Sequence, residues 1–198
     1  MKRRHKSALD FTLKSDKKKK SRIPSKFRTG YNIFFIVLAA LVLGYGFIAF
    51  VGQSVYMMGP SMESTINDGE ELILSKRYYN FHEIERYDIV AIKKIDSDEY
   101  YDIKRVVGLP GDTIAVVGGR LVINGKQTED GFSFSYITSP GRLDSGVTLD
   151  SDEYFVIGDN PVNSEDSRYI NYGNVVDAEI AGKIIYRIQP KKRRGKVY

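Results

Sequence analysis

Three short segments of this chain carry side chains whose types and spacing can do chemistry. The first is Met58-Gly59-Pro60-Ser61-Met62-Glu63-Ser64-Thr65-Ile66. A serine after Gly-Pro belongs in an exposed turn, where its hydroxyl either attacks an acyl group or caps the start of a helix. The second is Tyr101-Asp102-Ile103-Lys104-Arg105-Val106-Val107-Gly108-Leu109-Pro110-Gly111-Asp112. A lysine bounded by Ile103 and two valines can be dry enough to lose its charge, and a neutral amine is a general base. The plainer alternative puts Lys104 and Arg105 on the wet face of an edge strand. Alternation groups Lys104 with Asp102 and Val106 on one face, which does not decide between the two. The third segment, Gly158-Asp159-Asn160-Pro161-Val162-Asn163-Ser164-Glu165-Asp166-Ser167-Arg168, reads on its own as a turn followed by an Asp–Arg pair that holds a loop.

The residues that are scarce narrow the chemistry further. The 198 residues include no cysteine and two histidines, His5 and His82. Disulfides, thiolate metal sites and a multi-histidine metal centre are excluded, so no cofactor or metal is expected. A Ser-His-Asp hydrolase needs a histidine in the compartment of its serine. His5 lies on a basic arm, and His82 stands between Phe81 and Glu83 in no recognisable motif. A hydrolase built from this chain would use another base.

Charge is divided along the chain. Residues 1–30 hold 12 Lys/Arg against 2 Asp/Glu, residues 190–198 hold 5 against none, and residues 31–189 hold 13 against 23. The body is acidic and the tails are basic, which argues against nucleic acid as a partner.

These residues must be positioned by an anchor and a β-rich body. Residues 1–30 read as a basic cytoplasmic arm. No charged residue occurs between Arg28 and Glu63, and residues 33–51 are almost wholly apolar. As a helix those residues span roughly 28 Å, about one bilayer core, which places a transmembrane anchor over 31–54. The small residues Gly52 and Ser54 would suit a cleavable secretory signal, but the apolar run exceeds the usual about 7–15 residues of such a signal. Positive charge before the span keeps the N-terminus cytoplasmic and sends residues 55–190 outside, in a single-pass membrane protein. There, β-like runs at 71–74, 88–93, 101–107, 113–117, 120–123, 153–157 and 179–188 alternate with turn signals at 110–112, 118–119, 124–125 and 158–160. The fold class is mainly β. Residues 128–146 read as a long loop, and the basic residues 191–198 as a frayed tail.

In this order, Ser61-Met62, the run from Lys104 to Asp112, and Gly158-Asp159-Asn160 followed by Ser164-Glu165-Asp166-Ser167-Arg168 resemble the conserved boxes of bacterial type I signal peptidases with one membrane segment. The resemblance extends from the anchor to about Pro190. It implies a signal-peptidase-like antiparallel β-sheet domain and a serine endopeptidase with a Ser/Lys dyad. In that reading Ser61 is the nucleophile and Lys104 the general base. Ser164 orients the lysine amine, and Asp159, Asp166 and Arg168 support the site through hydrogen bonds and charge pairing. The Ser61 N–H supplies an oxyanion donor. Gly59 occupies the position where some members add a serine hydroxyl. The implied partners are preprotein signal peptides and membrane lipid, with the translocation machinery or pilins as further candidates.

Three positions depart from the family pattern. Ser64 replaces a proline, Pro161 replaces an arginine, and Pro60 precedes the nucleophile where a polar residue is commoner. They motivate an alternative, a specialised or non-catalytic signal-peptidase-like factor in pilus or surface-protein assembly. Retention of Ser61, Lys104 and Ser164 together argues against loss of catalysis. A single-span receptor or adhesion module would share the anchor and β pattern but not the three boxes. A self-cleaving repressor-type Ser/Lys protease is soluble, and the apolar span excludes it.

Overall fold

The computed structural model describes residues 25–94, 97–128 and 136–198. The first 24 residues of the expected basic arm, and residues 129–135 of the expected long loop, lie outside the described residues.

Helix α1 runs Ser25–Val51. Its window Thr29–Gly46 carries no charge, is long and apolar enough to cross a membrane, and is exposed throughout. An all-round apolar, uncovered surface suits a helix whose solvent is lipid rather than one packed on a core. Gly52, at φ +108°, ends the helix in a conformation that side-chain-bearing residues avoid.

The remainder is built from strands β1 (Gln53–Tyr56), β2 (Glu71–Ser75), β3 (Ile89–Lys94), β4 (Ser97–Gly108), β5 (Thr113–Val117), β6 (Arg120–Ile123), β7 (Lys126–Gln127), β8 (Val147–Thr148), β9 (Glu153–Ile157), β10 (Val175–Val176), β11 (Ile180–Gln189) and β12 (Gly195–Lys196). They form two antiparallel sheets. The larger runs β1-β2-β11-β3-β4-β9-β10, with β12 added to β11, and the smaller runs β7-β6-β5-β8. All seven β-like runs expected from the sequence fall on strands. The remaining strands β1, β7, β8, β10 and β12 are two to four residues long, too short to show a period.

Alternation decides how the larger sheet is covered. Ile89, Ala91 and Ile103 join one apolar cluster with Met57, Met62, Ile66, Leu72 and Leu74. The intervening Val90, Ile92 and Val106 join a second cluster with Val156 and Val175. The sheet is therefore buried on both faces, and each fully buried aliphatic side chain contributes about 1.5–3 kcal/mol. In the smaller sheet, Gly118-Gly119 and Asn124-Gly125 all hold positive φ, as two-residue type I′ hairpin turns require.

Residues 136–146 of the expected loop form no strand, and Ile137 and Leu143 anchor them in the core of the smaller sheet. One expectation needs correction: the C-terminal segment does not fray. Lys196 and Gly195 pair with Tyr186 and Arg187 of β11, and Arg193 bonds the Glu70 carboxylate at 2.6 Å. A buried carboxylate and an open strand edge recruit a basic segment that composition alone assigns to solvent.

Candidate active site

The Ser61 turn is fixed from below by apolar burial and from both ends by hydrogen bonds. Met62 and Ile66 are fully buried, and the Ile66 N–H bonds the Met62 carbonyl oxygen at 2.8 Å. Gly59 lies at φ +82° and donates its N–H to Asp68 Oδ1 at 2.7 Å. Gly59 thus brings no side-chain donor, and its amide is already engaged, so it shapes the turn instead of facing an oxyanion. The Ser61 N–H, in contrast, has no hydrogen-bond partner among the described residues. Ser64 adopts φ +90°, where proline, fixed near −65°, cannot go. The replacement of the expected proline is therefore a change of backbone as well as of side chain.

Lys104 enters from β4, where it pairs with Val90 of β3. It is 2% exposed and Ser61 is 8% exposed. The Lys104 Nζ donates to Ser61 Oγ at 3.3 Å. Its other partner is the carboxylate of Asp102, whose Oδ2 accepts a 2.8 Å bond from the Tyr172 hydroxyl. Burial, reinforced by the negative Asp102, pushes the Tyr172 phenol far above its ordinary range, so it keeps its proton and acts as a donor.

The third segment closes over the pair. The Asn160 N–H donates to the Ser61 carbonyl oxygen at 3.0 Å, and Asn160 Nδ2 donates to the Pro60 oxygen at 3.1 Å. Gly158 makes this approach possible. A Cβ there would stand 2.3 Å from Ser164 Oγ and 2.4 Å from the Ser61 oxygen. Asp159 receives a two-pronged contact from Arg105, Nε at 2.8 Å and Nη2 at 2.6 Å. Asp166 is wholly buried and accepts from Arg168 Nε (2.8 Å), Ser164 Oγ (2.7 Å) and the Gly158 N–H (3.1 Å). The Arg168 Nη2 also donates to the Pro161 and Ser164 carbonyl oxygens. Pro161 opens the short turn Pro161–Asn163, a position that needs no N–H.

Ser61 and Lys104 thus meet, and Asp159, Asp166 and Arg168 brace the loop beside them. Ser164 differs from its expected role. Its hydroxyl is donated to Asp166, and no hydrogen bond joins it to Lys104 among the described residues. Sequence reasoning overlooked Asp102, Arg105, Asn160 and Tyr172. For Asp102 the signal was present, because it shares a strand face with Lys104, but alternation does not say what lies opposite that face. His82 stacks on Tyr78 with ring centroids 4.3 Å apart and donates to the Tyr78 carbonyl oxygen.

Chemically, a buried amine against a serine hydroxyl, with an unpaired backbone N–H on the same serine, can generate an alkoxide and stabilise an oxyanion. The chain is similar to known proteins of one family. Residues 29–188 match the family model described as "Signal peptidase, peptidase S26". The chain is 34% identical over 165 residues to "Probable signal peptidase I-2" of Synechocystis sp., covering 80% of this chain and 73% of that protein. It is 34% identical to the signal peptidase I of Leptolyngbya laminosa, covering 80% and 79%. It is 35% identical to signal peptidase I V of Bacillus subtilis, covering 75% and 90%. A crystal structure of a signal peptidase I from Enterococcus faecalis V583 superposes with a TM-score of 0.42 at 28% identity, covering 52% of this chain and 97% of that one.

Proposed function

The chain belongs to the signal peptidase family, peptidase S26, and on that premise we propose that Ser61 is its nucleophile and Lys104 its general base. The family reaction is serine-dependent removal of signal peptides from preproteins. The observation that carries the assignment is the 3.3 Å contact between a buried amine and a buried hydroxyl.

In the proposed cycle Lys104 Nζ takes the proton of Ser61 Oγ as that oxygen bonds the scissile carbonyl carbon. The carbonyl electron pair moves to oxygen, facing the Ser61 N–H, a donor worth about 3 kcal/mol in such sites. Lys104, now an ammonium, gives its proton to the leaving amine as the C–N bond breaks. Water then releases the acyl group from Ser61 by the same route. Asp159, Asp166 and Arg168 act indirectly, by holding the loop whose Asn160 grips the Ser61 carbonyl.

The apolar α1 fits the membrane attachment of the family. The orientation proposed is a cytoplasmic N-terminus and an external peptidase domain, supported by the basic residues before the span. Membrane lipid, the translocation machinery and pilins are candidate partners of such a placement. The intact Ser61–Lys104 contact supports catalysis over a purely binding role in surface-protein assembly.

The test is cleavage of a model preprotein by the purified full-length protein. Ser61→Ala and Lys104→Ala should each lose about four orders of magnitude in kcat/KM or more. Lys104→Arg should fail as well, because a guanidinium does not release its proton. Activity retained by Ser61→Ala or Lys104→Ala removes the assignment.

A further inference from the structure

The reactive amine has a second partner that the motif boxes leave without a role. We propose that Asp102 is a positioning residue for the reaction: its carboxylate holds the Lys104 amine against Ser61 and balances the ammonium formed there, while Tyr172 holds the carboxylate. This rests on the Ser61/Lys104 reading.

Four residues stand in a line. The Tyr172 hydroxyl donates to Asp102 Oδ2, Asp102 Oδ1 accepts from Lys104 Nζ, and Nζ donates to Ser61 Oγ. Each carboxylate oxygen thus has its own task. Asp102 and Lys104 are two apart on β4, so the strand's alternation points both side chains the same way. Their cross-strand neighbours on β3 are Ile92 and Val90, so that strand sets no charge opposite the pair. Of the other charges of the site, Arg105 grips Asp159, and Asp166 grips Arg168. Asp166 and Glu179 add to the negative field at Tyr172, which further keeps its proton in place.

A flexible four-carbon side chain needs a second contact to hold its amine on one hydroxyl. Asp102 supplies that contact and a countercharge. When Ser61 Oγ bonds the substrate carbon and its proton moves to Nζ, the new ammonium sits beside the carboxylate. When the proton passes to the leaving amine, Nζ returns to the neutral state. Asp102 therefore governs the rate of the chemical step, through the place of the amine and the charge beside it.

The experiment is steady-state cleavage of a model preprotein by the full-length protein, with kcat and KM measured separately, for the parent, Asp102→Asn, Asp102→Glu and Tyr172→Phe, with Lys104→Ala as a reference. Asp102→Asn should lower kcat about a hundredfold with KM unchanged, the scale of a misplaced catalytic group. Asp102→Glu, which keeps the carboxylate, should restore part of that rate. Tyr172→Phe, which frees one carboxylate oxygen, should lower kcat about tenfold with KM unchanged. An Asp102→Asn enzyme with the parent's kcat, or one whose KM rises while kcat holds, overturns the proposal. If Asp102→Asn fails to fold, Tyr172→Phe decides, and a parental kcat there overturns it. Cleavage surviving in Lys104→Ala would instead overturn the dyad assignment on which the proposal rests.

Discussion

Two clusters in this molecule are made of the same three ingredients, a serine, an aspartate two residues from a cation, and that cation, yet they have opposite characters. In Ser164–Asp166–Arg168 the hydroxyl donates to the carboxylate, and the guanidinium bonds both carboxylate oxygens and three carbonyl oxygens. In Ser61–Asp102–Lys104 the hydroxyl accepts from the cation, and among the described residues the amine bonds only that hydroxyl and the carboxylate. The first cluster is saturated and built on a cation that keeps its proton. The second is sparse and built on one that can release it. Burial and charge pairing alone do not mark reactivity. The choice of lysine over arginine, and a hydroxyl left free of the carboxylate, do.

The contrast is sharpest when each cluster is cut. Removing one side of the saturated cluster, by Asp166→Asn or Arg168→Met, should cost about 3–5 kcal/mol of unfolding free energy, because a buried charge is left without its partner. Chemical denaturation reads this directly. Ser61→Ala should leave the denaturation midpoint nearly unmoved while ending cleavage. Equal losses of stability in the two clusters would break the distinction.

Gly158 lies where the two clusters touch. Gly158→Ala should cost about 1–3 kcal/mol, since the added methyl meets the Ser61 carbonyl as well as the Ser164 hydroxyl. It should lower kcat too, and a variant that loses only stability would show that the loop does not hold the nucleophile. Ser164→Ala removes one neutral donor from Asp166 and should cost about 1 kcal/mol. If Ser164 also steadies the lysine amine during catalysis, kcat will fall well beyond the small stability loss, so this substitution separates the two roles. The smallest effect belongs to Ser64→Gly. Relief of a left-handed serine should stabilise the turn by about 0.5–1 kcal/mol in a thermal melt, with cleavage retained.

The sequence was most readable where chemistry and period coincide. Apolar length announced α1, and Val/Ile alternation between Gly and Asp turns announced the strands that carry the core. Ser61, Lys104 and the Asp166–Arg168 loop stood out through the order of the three boxes and their family resemblance, because each segment on its own also reads as a cap, a wet edge strand or a turn. Less was visible where meaning depends on a distant partner. Asp102 sits on the correct face in sequence, yet Tyr172, seventy residues on, is what commits one of its oxygens. The left-handed turn at Ser64 left no trace, since serine is not a residue that announces positive φ. The C-terminal basic run looked like a tail because nothing local shows that Glu70 and the edge of β11 await it.

The place of β11 in the larger sheet has a consequence for biogenesis. β1 and β2 flank the Ser61 turn, β3 and β4 carry Lys104, and within the sheet only β11, residues 180–189, joins the two pairs. A growing polypeptide therefore exposes its hydroxyl and its amine long before the strand that unites them has been made. Contacts of such long sequence separation form slowly and late. The two groups would then meet only once residues 180–189 have been made, after the apolar segment ahead of them has already been handed to the bilayer.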